Sequence, residues 1–135
     1  MKFKDTKYGD LTGQTYEGDI DVNDLNLTSL EGSPKVINGN FFCYNNQLTS
    51  LEGSPEVING SFFCYNNQLT SLTGSPEVIE GHFACEHNPN KNLTIEYQIR
   101  KENPNLPDDE IFSKMMELGY TEYYLPNEAK DIFVF

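Results

Sequence analysis

The three cysteines of this chain, Cys43, Cys64 and Cys85, stand 21 residues apart. Thiols at one fixed interval could form a disulfide set, a metal cluster or a row of small buried hydrophobes. Around the last of them, His82-x-x-Cys85-x-His87 has the residue types of a zinc site. Strand alternation argues against that use, because it sends His82 and Cys85 to opposite sides. A structural zinc would also need a fourth ligand in a closed tetrahedron. One interval before Cys43 stands Val22, which favours a packing role. The chain has no paired Cys-x-x-Cys, no phosphate-cradling glycine loop and no nucleophile elbow. A nucleophilic cysteine needs an exposed, activated thiolate, and no two carboxylates stand out by spacing. These residues therefore lead to no catalytic set, no cofactor and no metal, and function is expected on exposed surface.

The cysteine interval belongs to a repeat of the whole sequence. Leu27 to Gln47 and Leu48 to Gln68 differ only where Lys35 becomes Glu56 and Asn40 becomes Ser61. A third unit, Leu69 to Pro89, keeps 14 of the 21 residues of the second. A period in this range predicts a solenoid, in which each unit buries its apolar face by stacking on its neighbours. The cysteines then line up about 4.8 Å apart, at one position of successive strands.

Length and charge bound the rest. A chain of 135 residues reads as one domain. No apolar run approaches the roughly 18 residues of a membrane span, and the basic start Met1-Lys2-Phe3-Lys4 lacks the apolar stretch of a secretory signal. The formal net charge of −12 disfavours direct binding to nucleic-acid phosphate and favours basic partner surfaces. Reduced thiols fit a cytoplasmic location.

Within one unit, Phe62 and Cys64 alternate as a short inward-facing strand. Gly74-Ser75-Pro76 forbids a helix, so the return path should be extended or a tight turn, with Val78 and Ile79 as its apolar contacts. The pattern Phe-x-Cys-x-x-Asn-x-Leu-x-x-Leu resembles the leucine-rich repeat consensus, in its short, helix-poor bacterial form. Asn67 falls at the asparagine position of that consensus; the resemblance implies a turn where its amide satisfies backbone groups, with Leu69 and Leu72 filling the core behind it. The longer phrase Leu-Thr-Ser-Leu-Glu-Gly-Ser-Pro, continuing Val-Ile-Asn-Gly-x-Phe-x-Cys-x-x-Asn, is similar to repeats in small proteins of bacteriophages and bacterial mobile elements. The resemblance covers about residues 19–91 and implies a leucine-rich repeat solenoid of about four rungs on a short parallel β-sheet.

The flanks read as caps. Residues 1–18 should form an N-terminal cap, such as a strand pair, with Thr15 and Tyr16 left from an earlier return segment. Leu25 replaces the ladder asparagine in the first, degraded rung. Residues 92–135 should form an α-helical C-terminal cap. Asn92 to Lys101 reads as one helix with Ile95 and Ile99 at i,i+4; a second, capped by Asp108, runs through Leu118 with Ile111, Met115 and Leu118 inward. Tyr123, Tyr124 and the closing Ile132-Phe133-Val134-Phe135 either complete this lid or touch a partner.

If the Phe41 and Cys43 positions point inward, three columns point outward: Asp19/Asn40/Ser61/His82, Asp21/Phe42/Phe63/Ala84 and Asn23/Tyr44/Tyr65/Glu86. Four aromatics then meet on one face, the kind of anchor that dominates protein interfaces. The expected partner-binding residues are Phe42, Tyr44, Phe63, Tyr65, His82, Glu86, Asp19 and Asp21. The phage-like resemblance implies a cytoplasmic protein that binds and inhibits a bacterial host protein with a basic surface, such as a defence or nuclease component. Two other readings stay open: an acidic mimic of nucleic acid, and a self-assembling or virion protein, with homo-oligomers through the same face.

Overall fold

The structure, a computed structural model, describes residues 1–124. Eight short strands precede two helices: β1 Thr15–Glu17, β2 Ile20–Asp21, β3 Val36–Asn38, β4 Phe41–Phe42, β5 Val57–Ile58, β6 Phe62–Phe63, β7 Val78–Ile79, β8 Phe83–Ala84, α1 Leu93–Glu102 and α2 Asp108–Glu117. They wind into a parallel β-solenoid. Each strand pairs with the one 21 residues on, as Ile20 with Phe41 and Phe41 with Phe62. The repeat period is thus the length of one turn.

The return path is more regular than the sequence implies. It is a second parallel sheet, β1-β3-β5-β7, beside the front sheet β2-β4-β6-β8. Pro34, Pro55 and Pro76 stand just before its strands, where a missing N–H removes no ladder bond. Leucines close the third side of the prism: Leu27, Leu30, Leu48, Leu51, Leu69 and Leu72 are fully buried, as are Phe41, Phe62 and the cysteines of the middle rungs. Neighbouring coils approach closely at the corner glycines. A Cβ on Gly74, which holds φ +83°, would lie 2.5 Å from the Glu52 nitrogen of the coil below.

Asn46, Asn67 and Asn88 form the buried ladder that the repeat predicts. The Asn67 amide donates to the carbonyls of Cys43, Cys64 and Tyr65 at 3.0–3.3 Å, and its oxygen accepts the Leu48 N–H at 3.0 Å. One side chain thereby satisfies groups on two rungs, where the chain bends and no strand ladder reaches. In the first rung Leu25 has no amide to offer; Asn46 accepts the Leu25 and Leu27 N–H groups from above.

The N-terminal end differs from the expected strand pair. A 3-10 turn over Phe3–Asp5 and a single bridge from Lys2 to Ser29 lay the chain across the first coil. Phe3 is fully buried, edge-on to Phe41 at 6.2 Å, and stacked on Tyr8. The Tyr8 hydroxyl accepts the Asp21 N–H at 3.0 Å, which satisfies part of the front sheet's first edge. A short apolar plug and one hydroxyl do here what a second strand would do.

At the other end α1 packs on the last coil through Leu93 and Tyr97, and Tyr97 meets Phe83 edge to face at 4.6 Å. Ile95 and Ile99 turn away from the solenoid and join Ile111, Met115 and Tyr124 in a second small core. Two sequence expectations are corrected. Asp108 is the first residue of α2 rather than its cap, because Pro107 holds the extended cap position and the Asp108 carboxylate accepts from Arg100. Leu118 is 60 % exposed, because α2 ends at Glu117 and Gly119, at φ +93°, turns the chain away. Tyr124 belongs to the lid core, and the Ile132–Phe135 segment lies outside the described residues.

Candidate functional site

The pleat of the front strands sets the site. Phe41 and Phe62 fill the core, so Phe42 and Phe63 must stand on the opposite face. Parallel pairing in register places Phe63 directly beside Phe42, and Ala84 beside Phe63. The Phe42 and Phe63 rings stack with centroids 5.1 Å apart and planes within 3°. Next to them Tyr44 and Tyr65 stack at 4.5 Å and 7°. All four rings are half-buried. They lie on one another along the solenoid axis, so their edges face outward. Ala84 leaves the upper face of Phe63 without a third ring, and Glu86 stands where a third tyrosine would be.

The column nearest the strand start has a structural task that the pattern did not reveal. The Asp19 carboxylate accepts the Asn40 N–H at 2.7 Å, the Asn40 oxygen accepts the Ser61 N–H at 2.7 Å, and the Ser61 hydroxyl accepts the His82 N–H at 2.9 Å. Asp, Asn and Ser share the one property needed, a short side chain ending in an acceptor. His82 ends the ladder and is exposed. Asp21 is exposed below Phe42, and one of its oxygens holds the Asn23 N–H at 3.0 Å. The structure therefore gathers Phe42, Tyr44, Phe63 and Tyr65 in one block, puts Asp21 at one end and Glu86 with His82 at the other, and gives Asp19 to the backbone.

The electrostatics of the block are acidic. The Tyr65 phenol is held above its ordinary range, first by desolvation, then by Tyr44, Asp24 and Glu86. It stays neutral at physiological pH and offers a hydroxyl to hydrogen bonding. The cysteines lie behind the sheet as free thiols. Burial pushes Cys43 and Cys64 far up and Cys85 up to about 11, so none is a thiolate near neutrality. Among the described residues no group of three His, Cys, Asp or Glu side chains could hold a metal. No helix among them is long and apolar enough to cross a membrane.

Sequence reasoning missed one buried polar cluster in the C-terminal cap. Glu96 is fully buried; its carboxylate accepts from Leu72 N–H, from Arg100 Nε and from the Tyr124 hydroxyl, at 2.7–2.8 Å. The signal was the Glu96/Arg100 spacing of four, which normally marks an exposed helix pair. The tyrosine that reveals its burial lies 28 residues further on. None of the family models, curated proteins or solved structures compared with the chain matches it.

Proposed function

We propose that this chain is a non-catalytic protein-binding module of the leucine-rich repeat kind. The carrying observation is the block of Phe42, Phe63, Tyr44 and Tyr65, stacked in two columns and half-exposed on the front sheet. Aromatic side chains held rigid by stacking lose little entropy on binding and bury large areas, which makes them effective anchors. Asp21, Asp24 and Glu86 around them, with the net charge of −12, steer toward a basic surface. The mechanism is occlusion: the rings fill a pocket of the target while the carboxylates meet its cations. The similarity of the repeat to those of phage and mobile-element proteins supports a bacterial host protein as target, a defence or nuclease component among them, met in the host cytoplasm.

The test is capture of that target class by the wild type and by the Phe63→Ala/Tyr65→Ala double variant. Each pair of rings loses one stacking contact, so the variant should stay folded with stability lowered by about 1–3 kcal/mol, yet lose capture. Unchanged capture would remove the front sheet from the interface. A second reading, mimicry of nucleic acid by the acidic surface, is favoured by the exposure of Asp21 and Glu86 on this same face. It requires Asp21→Lys/Glu86→Lys to cost more than loss of the rings, with binding that falls steeply in salt. Asp19 is left out of that variant because it holds the Asn40 N–H. A self-assembling role would register as a multimeric mass in solution.

A further inference from the structure

The back sheet ends in a strand whose outer side is unmatched. In the coil below, the Glu56 carbonyl accepts N–H groups from Glu77 and Val78, and the Ile58 carbonyl accepts from Glu80, at 2.9–3.2 Å. The equivalent carbonyls of the last coil, those of Glu77 just before β7 and of Ile79 within it, accept from no described residue. The end of the front sheet differs, because α1 lies against β8 there and Tyr97 meets Phe83. Beside β7 the helix stands off instead. A cleft of about 400 Å³ opens there, lined by Val78, Ile79, Tyr97, Arg100, Lys101 and Leu106 among others.

Arg100, in the wall of that cleft, carries the one buried side-chain nitrogen or oxygen without a hydrogen-bond partner among the described residues, Nη2. The other two guanidinium nitrogens are engaged, Nε with Glu96 and Nη1 with Asp108. Two carboxylates already balance this cation, and at the rim Glu77 and Glu80 stand exposed on the strand side while Lys101 stands exposed on the helix side. A further carboxylate is therefore unwelcome. A neutral carbonyl suits Nη2, and a cationic side chain suits the strand side of the rim. Two unmatched carbonyls in line, an unpaired guanidinium nitrogen on the helix side and two carboxylates on the strand side fit one class of ligand, a strand-forming peptide.

We propose that the cleft between β7 and α1 receives an extended, basic segment of a partner protein as a parallel fifth strand of the back sheet. The geometry sets its register. The incoming N–H groups go to the Glu77 and Ile79 carbonyls, one of its carbonyls takes Arg100 Nη2, and its basic residue lies above Glu77. The chain itself supplies a template: Lys35, Glu56 and Glu77 share one column, and the Glu56 N–H donates to the Lys35 backbone carbonyl at 2.9 Å. The site is separate from the aromatic block and does not depend on it.

The probe is a terminally blocked peptide with the sequence of residues 33–40, Ser-Pro-Lys-Val-Ile-Asn-Gly-Asn. It is titrated into the full chain and followed by backbone amide NMR. Saturable shifts should centre on Ile79, Glu80 and Lys101 and leave Phe63 and Tyr65 unmoved. Glutamate in place of the peptide's lysine should weaken binding about tenfold. N-methylation at the peptide's valine should abolish it, since that amide meets the Glu77 carbonyl. Phe63→Ala/Tyr65→Ala should bind the peptide as the wild type does, which separates this site from the front sheet. No saturable shift, equal binding of the N-methylated peptide, or shifts centred on the front sheet would overturn the proposal. Dilution-dependent shifts at Ile79 in the protein alone would overturn it in favour of a second copy on this edge.

Discussion

Glu96 Oε2 accepts the Leu72 N–H at 2.7 Å, in place of the backbone carbonyl that another coil would supply. One turn earlier the Leu51 N–H donates to the Thr73 carbonyl. The C-terminal cap therefore ends this side of the solenoid with a side chain that imitates backbone, and Arg100 neutralises the carboxylate it buries. Glu96→Leu should cost about 3 kcal/mol, because it orphans the Leu72 N–H and leaves Arg100 without its most buried partner. Glu96→Gln keeps an acceptor and should cost less. Urea unfolding of both variants checks the order; equal losses would mean that the charge, and not the acceptor, is what the lid needs.

Asn66 and Asn67 are neighbours with opposite weights. Asn67 bridges two rungs from a buried position, and Asn67→Ala should cost roughly 2–3 kcal/mol, the penalty for several unmatched buried groups. Asn66 is exposed at φ +55°, a conformation that glycine adopts freely, and its amide donates only to Asn45. Asn66→Gly should change stability by less than about 0.5 kcal/mol. The same pair of unfolding curves tests both statements.

This contrast shows what the sequence could reveal. The period, the inward Phe and Cys positions, the asparagine ladder and the outward aromatics were legible because the repeat states each of them several times. The two helices of the C-terminal cap were legible from their apolar spacing and stop signals, but the contacts that close each end of the solenoid were not, since each is used once and no internal comparison exists. Phe3, Tyr8 and Glu96 carry no repeated pattern, and only tertiary packing buries Phe3 and Glu96 fully and Tyr8 in part. The ladder through Asp19, Asn40, Ser61 and His82 was hidden for another reason. Its residue types vary between rungs, which reads as a freely varying surface, while the acceptor oxygen persists through the first three.

The thiol column gives a pH dependence with a definite sign. Cys43, Cys64 and Cys85 all have folded-state values raised by burial above the unfolded value of 9.0, Cys85 up to about 11. Below pH 9 both states are protonated and the contribution is fully present. Above it the unfolded chain releases protons that the folded chain keeps, so stability falls as pH rises through and beyond the 9–11 window. Each fully buried thiol adds a slope of about 1.4 kcal/mol per pH unit there. Cys64→Ala should flatten the decline by about one such increment. Urea midpoints measured between pH 8 and about 11 would show an unchanged slope if burial of the column were incomplete.

Ala84 marks the step at the top of the phenylalanine column, in register with Phe63. Ala84→Phe should continue the stack and raise stability by about 0.5–1.5 kcal/mol, the gain of one more aromatic pair. The added ring also covers the upper face of Phe63. If partner binding uses that face, the more stable variant should capture less; if only ring edges make contact, capture should persist. Thermal unfolding and capture, measured on the same preparation, separate the two outcomes.

Gly74 and Gly119 both hold positive φ, +83° and +93°, yet only one is closed in. A Cβ on Gly119 would meet nothing within 4 Å, so Gly119→Ala carries the backbone strain alone, about 1 kcal/mol. On Gly74 the same atom would lie 2.5 Å from the Glu52 nitrogen and 2.6 Å from its Cα, which are backbone atoms of the adjacent coil. They cannot rotate aside, and moving them separates two stacked turns. Gly74→Ala should therefore cost about 3 kcal/mol or more and broaden amide resonances of the coil containing Leu51 and Glu52. If the two variants proved equally stable, contact between coils at this corner would be looser than the 21-residue turn requires.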